Sequence, residues 1–441
     1  MPPCSICLWF SGSWLPPRSD EVGGCHAAFQ MVSQRKSSFA VLPLPSPGFL
    51  RVTMAVGMIG ATLLAAGMAF AEGHTPPPGK RRPLPLTKFY DTPHPLPAGK
   101  PGELIRSESF EEYELPLSVS AVRILYHSRS AAGEDVAASG VVLIPYGKNP
   151  PAAGWPILAW AHGAIGVARS CAPSLMRNLR HGPFLSMYVN LGYAVVATDY
   201  TGLGTSFRNA FLDGPSNAVD VIHSIPAARA AVPQLGNRWI VMGEAEGGLT
   251  AVAVAEKETE IRDPGYLGSI AISGLANARD IFGHSTPGSS DLMLTSLAYG
   301  IKTVYPRFRV TDMLTEKALA LYHHIEQTCW EAGAMAELSP ADTVKPSWDD
   351  NQFVRQYFVR NTLAQTRAYA PMMVISGAAG PAIPAMMTVP AIALMCKQGD
   401  RIQWQQIASP DAGQVIGDSV RDQIAWIEQR FAGRPAATNC P

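Results

Sequence analysis

A succession of short apolar runs, each delivered into a glycine-bearing loop, restricts what this chain can fold into. They read "WPILAWAHGAIG", "LGYAVVATDYTGLG", "NRWIVMGEAEGG", "YLGSIAISGLA" and "APMMVISGAAG". Uninterrupted apolar runs of this length, separated by helical segments, are strands buried on both faces. They predict an α/β fold: a mostly parallel sheet with helices on both faces. "RIQWQQIAS" supplies a last strand. Upstream, "AVRILYHSRS" and "ASGVVLIPYG" flank a turn at Gly133-Glu134-Asp135 and predict an antiparallel pair. With 441 residues, 47% of them hydrophobic, the chain can bury a large core.

The alternation breaks between about residues 280 and 365. "DLMLTSLAYGIKTVY" and "TDMLTEKALALYHHIEQTCW" carry apolar residues at helical spacing with no strand between them. An insertion at this point predicts a helical cap, or lid, over the carboxyl ends of the strands, where ligands of open α/β sheets bind. The plainer alternative is extra core. The expected layout is therefore core over 118–280, cap over 281–365 and core again over 366–441. A Pro-rich segment, 72–117, is expected to wrap the surface.

The first residues belong to none of this. Ala55 to Ala71 carries no charge, follows Arg35, Lys36 and Arg51, and closes on the small-x-small pattern Ala69-Phe70-Ala71. This reads as a secretory signal over 1–71, cleaved after Ala71, with translation starting at Met1, Met31 or Met54. A short uncleaved anchor is the alternative. Cleavage leaves no membrane span and implies a secreted or periplasmic, monomeric protein. Cys4, Cys7 and Cys25 then leave with the signal. Cys171, Cys329, Cys396 and Cys440 remain and predict two disulfides in an oxidising compartment, with the pairing open. Their spacing fits no zinc site, so neither metal nor cofactor is expected. Lys+Arg and Asp+Glu are equal at 35 each. That balance offers no footprint for nucleic acid.

"VMGEAEGGLTAVAVAEKE" has the frame of a strand, an elbow and a helix, which elsewhere presents a serine as G-x-S-x-G. The turn aims one strained residue into a site, and the elbow glycines, Gly243 and Gly247, let strand and helix approach closely. Here the sequence is Gly243-Glu244-Ala245-Glu246-Gly247, with a methyl group at the apex.

In this context the chain resembles the secretory lipase family, of lipase A type. The resemblance is carried by "FYDTPHPLPAGKPGELIR", "LAWAHGAIGVARSCAPS", "GYAVVATDYTGLGT", "GEAEGG", "PMMVISGAAGPAIP" and "SPDAGQVIGDSV". It implies an α/β-hydrolase fold with a helical lid and hydrolysis of acylglycerol or other carboxylic esters. It also implies a Ser-Asp-His triad in that chain order, whose slots fall on Ala245, Gly380 and Gln414. The oxyanion hole would be the backbone N–H groups of Glu246 and one near Ala164. Independently of any resemblance, no histidine follows His324. The loop after the last strand therefore cannot supply a base, and a triad of the usual topology is excluded.

Substitutes are few. Glu244 and Glu246 flank the apex without sharing its direction, and Glu246 fits the first helical turn. Ser376, Asp411 and Asp418 read as strand-end, loop and cap residues, and His162 as structural. The expectation is a catalytically silent hydrolase fold that binds a small apolar or acyl-ester ligand. The alternatives are an active ester hydrolase working through unrecognised groups and a non-catalytic interaction scaffold.

Overall fold

The computed structural model describes residues 83–440 except 94, 276–277, 284–289, 331–337, 378–384 and 409–411. All of the described residues lie in the unit that begins at His74. The proposed signal segment and Ala71, with its cleavage site, fall outside them.

The strands form one nine-stranded sheet in the order β1-β2-β3-β5-β4-β6-β7-β8-β9. They are β1 Leu104–Ser109, β2 Val119–Arg129, β3 Asp135–Pro145, β4 Trp155–Ala161, β5 Ala194–Thr198, β6 Leu235–Glu244, β7 Tyr266–Ile272, β8 Met372–Gly377 and β9 Ile402–Ile407. From β5 to β9 every neighbour is parallel, whereas β1, β2, β3 and β5 pair antiparallel. β2 and β3 are the expected pair, joined across the Gly133 turn. One element was not expected: β1 lies inside the segment read as a surface wrap and forms an edge of the sheet. Its sequence, "LIRSES", is half-exposed and mostly polar, so it lacks the apolar signature that marks the inner strands.

Helices cover both faces. They are α1 Gly182–Asn190, α2 Gly214–Ala231, α3 Glu246–Ile261, α4 Ala278–Gly283, α5 Ser290–Val304, α6 Glu316–Ile325, α7 Pro340–Thr343, α8 Gln352–Arg360, α9 Ala385–Lys397, α10 Ala412–Asp418 and α11 Val420–Phe431. β4 shows how the strand period builds two cores. Ile157, Ala159 and Ala161 pack with Val221 and Ile225 of α2 and Val252 of α3. The alternate residues Leu158 and Trp160 pack with Leu185 of α1 and Trp426 and Ile427 of α11. β4 lies between β5 and β6, so the strand order reverses there. The carboxyl ends of β4 and β6 then border the crevice that such a reversal opens.

Helices α4 to α8 form the insertion between β7 and β8. Leu297, Ile301, Tyr322, Ile325, Val354 and Tyr357 join the α2–α3 core. Its last helix is bound to the start of α2. The Arg360 guanidinium meets the buried Asp213 carboxylate at 2.7 and 3.0 Å, and Asn361 accepts from the Gly214 N–H at 2.8 Å.

The cysteines pair as Cys171–Cys329 and Cys396–Cys440, with Cα separations of 5.3 and 5.6 Å. The first ties the loop after β4 to the insertion. The second ties α9 to the C-terminal tail, which lies along the outer edge of β9. There the Asn439 N–H donates to Ile402 O at 3.0 Å, and the Asn439 side chain brackets the Trp404 backbone at 2.7 Å on both sides. Among the described residues no helix is long and apolar enough to cross a membrane.

Candidate functional site

β6 ends at Glu244 and α3 begins at Glu246, so Ala245 alone makes the turn. Its φ is +53° and its ψ −116°, a conformation that residues with a Cβ seldom hold without support. The support is visible in the packing around it. The Ala245 N–H donates to Ile272 O on the neighbouring strand at 2.9 Å, and its carbonyl accepts from Gly248 at 2.9 Å. Glycines let the pieces close. A Cβ on Gly243 would overlap the Gly247 carbonyl, and one on Gly247 would overlap the Ala161 carbonyl. Helix α3 therefore lies against the end of β4 as closely as backbone permits.

The loop after β4 meets this turn. A Cβ on Gly163 would come within 3.3 Å of the Ala245 methyl and 2.7 Å of the Glu244 carboxylate. Ala164, the next residue, is half-buried. The structure thus brings the Gly163–Ala164 loop, Gly243, Ala245, Glu246 and Gly247 together. The first N–H groups of α3 have no partner within the helix, and they carry the positive end of its dipole.

The flanking carboxylates do not share the apex. Glu246 occupies the first turn of α3, and its side chain turns into the core. It accepts from the Leu212 N–H at 2.7 Å and the Asn217 amide at 3.0 Å. Burial pushes its pKa up to about 7 despite both donors. Glu244 is also raised by burial, with Arg180 acting in the opposite sense.

His162 is structural in its contacts. Its ring lies 4.3 Å from that of Tyr200 and tilted to it by 36°, with Nδ1 at 2.8 Å from Gly163 O and Nε2 at 3.2 Å from Asp199 O. Burial pushes its pKa down to about 4. Near neutrality the ring therefore owns one N–H for two carbonyls and serves to hold the loop.

Of the other predicted positions, Gly380 and Asp411 lie outside the described residues. Gln414 is exposed on α10, and Asp418 ends that helix. Ser376 sits at the end of β8 and accepts from the Trp404 indole N–H at 3.1 Å. His323 and His324 are exposed on α6, His323 lying 3.8 Å from Glu326.

One contact had no sequence signal, because its members come from separate elements. Ser128 of β2 lies 3.2 Å from His223 Nδ1 and 2.5 Å from Asp220 Oδ1. The hydroxyl donates its only proton to the carboxylate, so the imidazole meets a lone pair and must itself donate. His223 is therefore no base for this serine. Ser128 is fully buried in the antiparallel part of the sheet, away from the elbow. Among the described residues, no cluster of His, Cys, Asp and Glu is arranged to hold a metal ion.

No family model matches the chain, and no curated protein matches its sequence. Solved structures do match its shape. Candida antarctica lipase A superposes with a TM-score of 0.69 at 17% identity, covering 81% of this chain and 89% of the lipase. The rice cell wall degrading esterase LipA from Xanthomonas oryzae gives 0.65 at 17% identity, over 76% of this chain and all of the esterase. A putative hydrolase from Legionella pneumophila gives 0.63 at 16%, again over 76% of this chain and all of that one. At these identities the likeness shows the fold, and the fold is that of the α/β-hydrolases.

Proposed function

We propose that this chain is an exported protein of the secretory lipase type whose elbow carries no nucleophile. In this reading it is silent as an ester hydrolase and keeps a crevice for an acyl or other apolar ligand. The observation that carries the reading is Ala245. It holds the strained corner between β6 and α3, beside the Gly163–Ala164 loop, where a hydroxyl would have to stand. A methyl group has no lone pair, and the sequence has no histidine beyond His324 to act as base. Gly380 and Gln414 take the acid and base slots, and the N–H groups of Glu246 and Ala164 remain as donors to a ligand carbonyl. The insertion serves as a lid. The mature chain begins after Ala71 and works as a monomer outside the cytoplasm, needing no cofactor.

Such donors without a triad retain only ~10³–10⁴-fold over water. The purified mature protein should therefore turn over a short-chain nitrophenyl ester at no more than that residual rate, orders of magnitude below a hydrolase with an intact triad. Steady turnover well beyond that residual, in the range of ordinary enzymes, would make it an active ester hydrolase and overturn the reading. Ala245→Ser combined with Gly380→Asp and Gln414→His should restore turnover and labelling by a serine-directed phosphonate. A folded triple variant that stays unlabelled means that the slots are misplaced. Failure to bind any fluorescent fatty acid would favour an interaction scaffold.

A further inference from the structure

A cavity with a volume of about 440 Å³ borders the elbow helix through Asn217, whose amide donates to Glu246 at 3.0 Å. Its walls are the β2–β3 turn, the loop between β5 and α2, the first half of α2, and the last turn of α5. Ala245, Gly163 and Ala164 are not among its lining residues. The volume is within the range of small-molecule sites, ~300–1,000 Å³. Val136, Phe207, Ala210 and Val304 give it apolar walls drawn from three parts of the chain.

The charges around it are unequally used. Arg129 is held by Asp135 at 2.6 Å, and Arg208 by Glu326 at 3.2 Å. The Asp220 carboxylate is taken up by Ser128 and by the Thr201 N–H and hydroxyl, at 2.5, 2.7 and 2.9 Å. Glu134, on the β2–β3 turn, belongs to a different wall from α5. Lys302 differs from the other cations. Its ammonium donates to the Pro306 and Phe308 carbonyls at 2.7 and 2.8 Å, and among the described residues it has no carboxylate partner. Two neutral acceptors fix the Nζ in place and leave its charge and a third N–H unspent. One uncompensated cation beside apolar walls suits a single negative charge with a hydrocarbon tail. A dianionic phosphate would lack a second cation.

We propose that this cavity binds an amphipathic monocarboxylate, with its head group at Lys302 and its chain against Val136, Phe207 and Ala210. The site uses neither Ala245 nor the Gly163–Ala164 loop, and its one tie to the elbow is the Asn217–Glu246 hydrogen bond.

The probe is decanoate, titrated calorimetrically into the purified protein with decanol as the uncharged match. Decanoate should bind saturably and about tenfold more tightly than decanol, the worth of one charge-assisted hydrogen bond. Lys302→Met should remove that margin and leave decanol unchanged, whereas Lys302→Arg should keep most of it. A diazirine-bearing decanoate, photo-cross-linked and mapped by peptide mass spectrometry, should label peptides containing Phe207, Ala210 or Val304. This mapping uses the unaltered chain and stands whether or not the lysine variants fold. Labelling confined to the peptides around Ala245, no saturable decanoate binding, or an unchanged margin in a folded Lys302→Met would each overturn the proposal.

Discussion

Ala245 shows what one residue pays at the corner. Holding a Cβ at φ +53° costs on the order of 1–3 kcal/mol. Glycine adopts that conformation freely but loses about 0.5–1 kcal/mol through backbone entropy. Ala245→Gly should therefore stabilise the protein by about 1 kcal/mol in urea unfolding, although an exposed alanine inside a helix would respond in the opposite direction. A clear loss of stability would mean that the methyl contributes packing that outweighs its strain. The neighbouring Glu246 sets a pH dependence. Its carboxyl is raised from 4.5 to about 7 by burial. Between those values the unfolded chain has released a proton that the folded chain keeps. This carboxyl thus favours folding below about pH 4.5 and loses that advantage as pH rises through 7. Glu246→Gln cannot titrate and keeps an acceptor for Leu212. Its stability relative to the parent should rise by about 2.5 kcal/mol between pH 5 and pH 8. Thermal melts at the two pH values test this, and an unchanged difference would contradict the burial of the carboxyl.

At the scale of elements, the insertion is coupled to the core through the segment that leads into α2. Leu212 donates to Glu246, Phe211 accepts from the Tyr357 hydroxyl, and Asp213 receives Arg360 and Asn361. A short stretch of backbone thus touches both the elbow helix and the last helix of the insertion. Asp213 has no solvent exposure, so removing its cation strands a buried charge. Arg360→Met should cost about 3 kcal/mol, read from denaturant midpoints. A cost near zero would mean that Ser216 and Asn361 satisfy the carboxylate on their own. None of this coupling could be read from the sequence. Asp213, Glu246 and Arg360 are ordinary polar residues in a linear reading, and only the fold makes them neighbours. The strands were different. β4, β5, β6, β7 and β8 announced themselves because burial on both faces leaves each with a mainly apolar central run. β1 escaped for the opposite reason: one of its sides pairs with β2 while its side chains remain half in water. The elbow was legible because its glycines answer to backbone contacts that no other residue tolerates. The Ser128–Asp220–His223 contact and the Lys302 cavity were not, since each is assembled from elements far apart in the chain.

For the whole molecule, the two disulfides act at opposite sides of the fold. The bond from Cys171 to Cys329 closes a loop that contains β5, β6, β7 and the insertion helices α4 to α6. The bond from Cys396 to Cys440 closes a short loop and holds a tail against the last strand. Any wide movement of the insertion has to carry its Cys329 end with the loop after β4, because the two are covalently joined. The tail matters in another way. β9 is the terminal strand of the sheet, and an unoccupied sheet margin is a template on which another chain can assemble. Asn439 fills part of that margin, and Cys440 keeps it there. Cys440→Ser, or mild reduction, should release the tail and produce concentration-dependent association, visible as rising light scattering well below the melting temperature. Scattering that stays flat would show that Asn439 holds without the bond. Should scattering rise instead, the residues after the last helix act as a stopper, and the solubility of the protein rests on a disulfide far along the chain from its elbow.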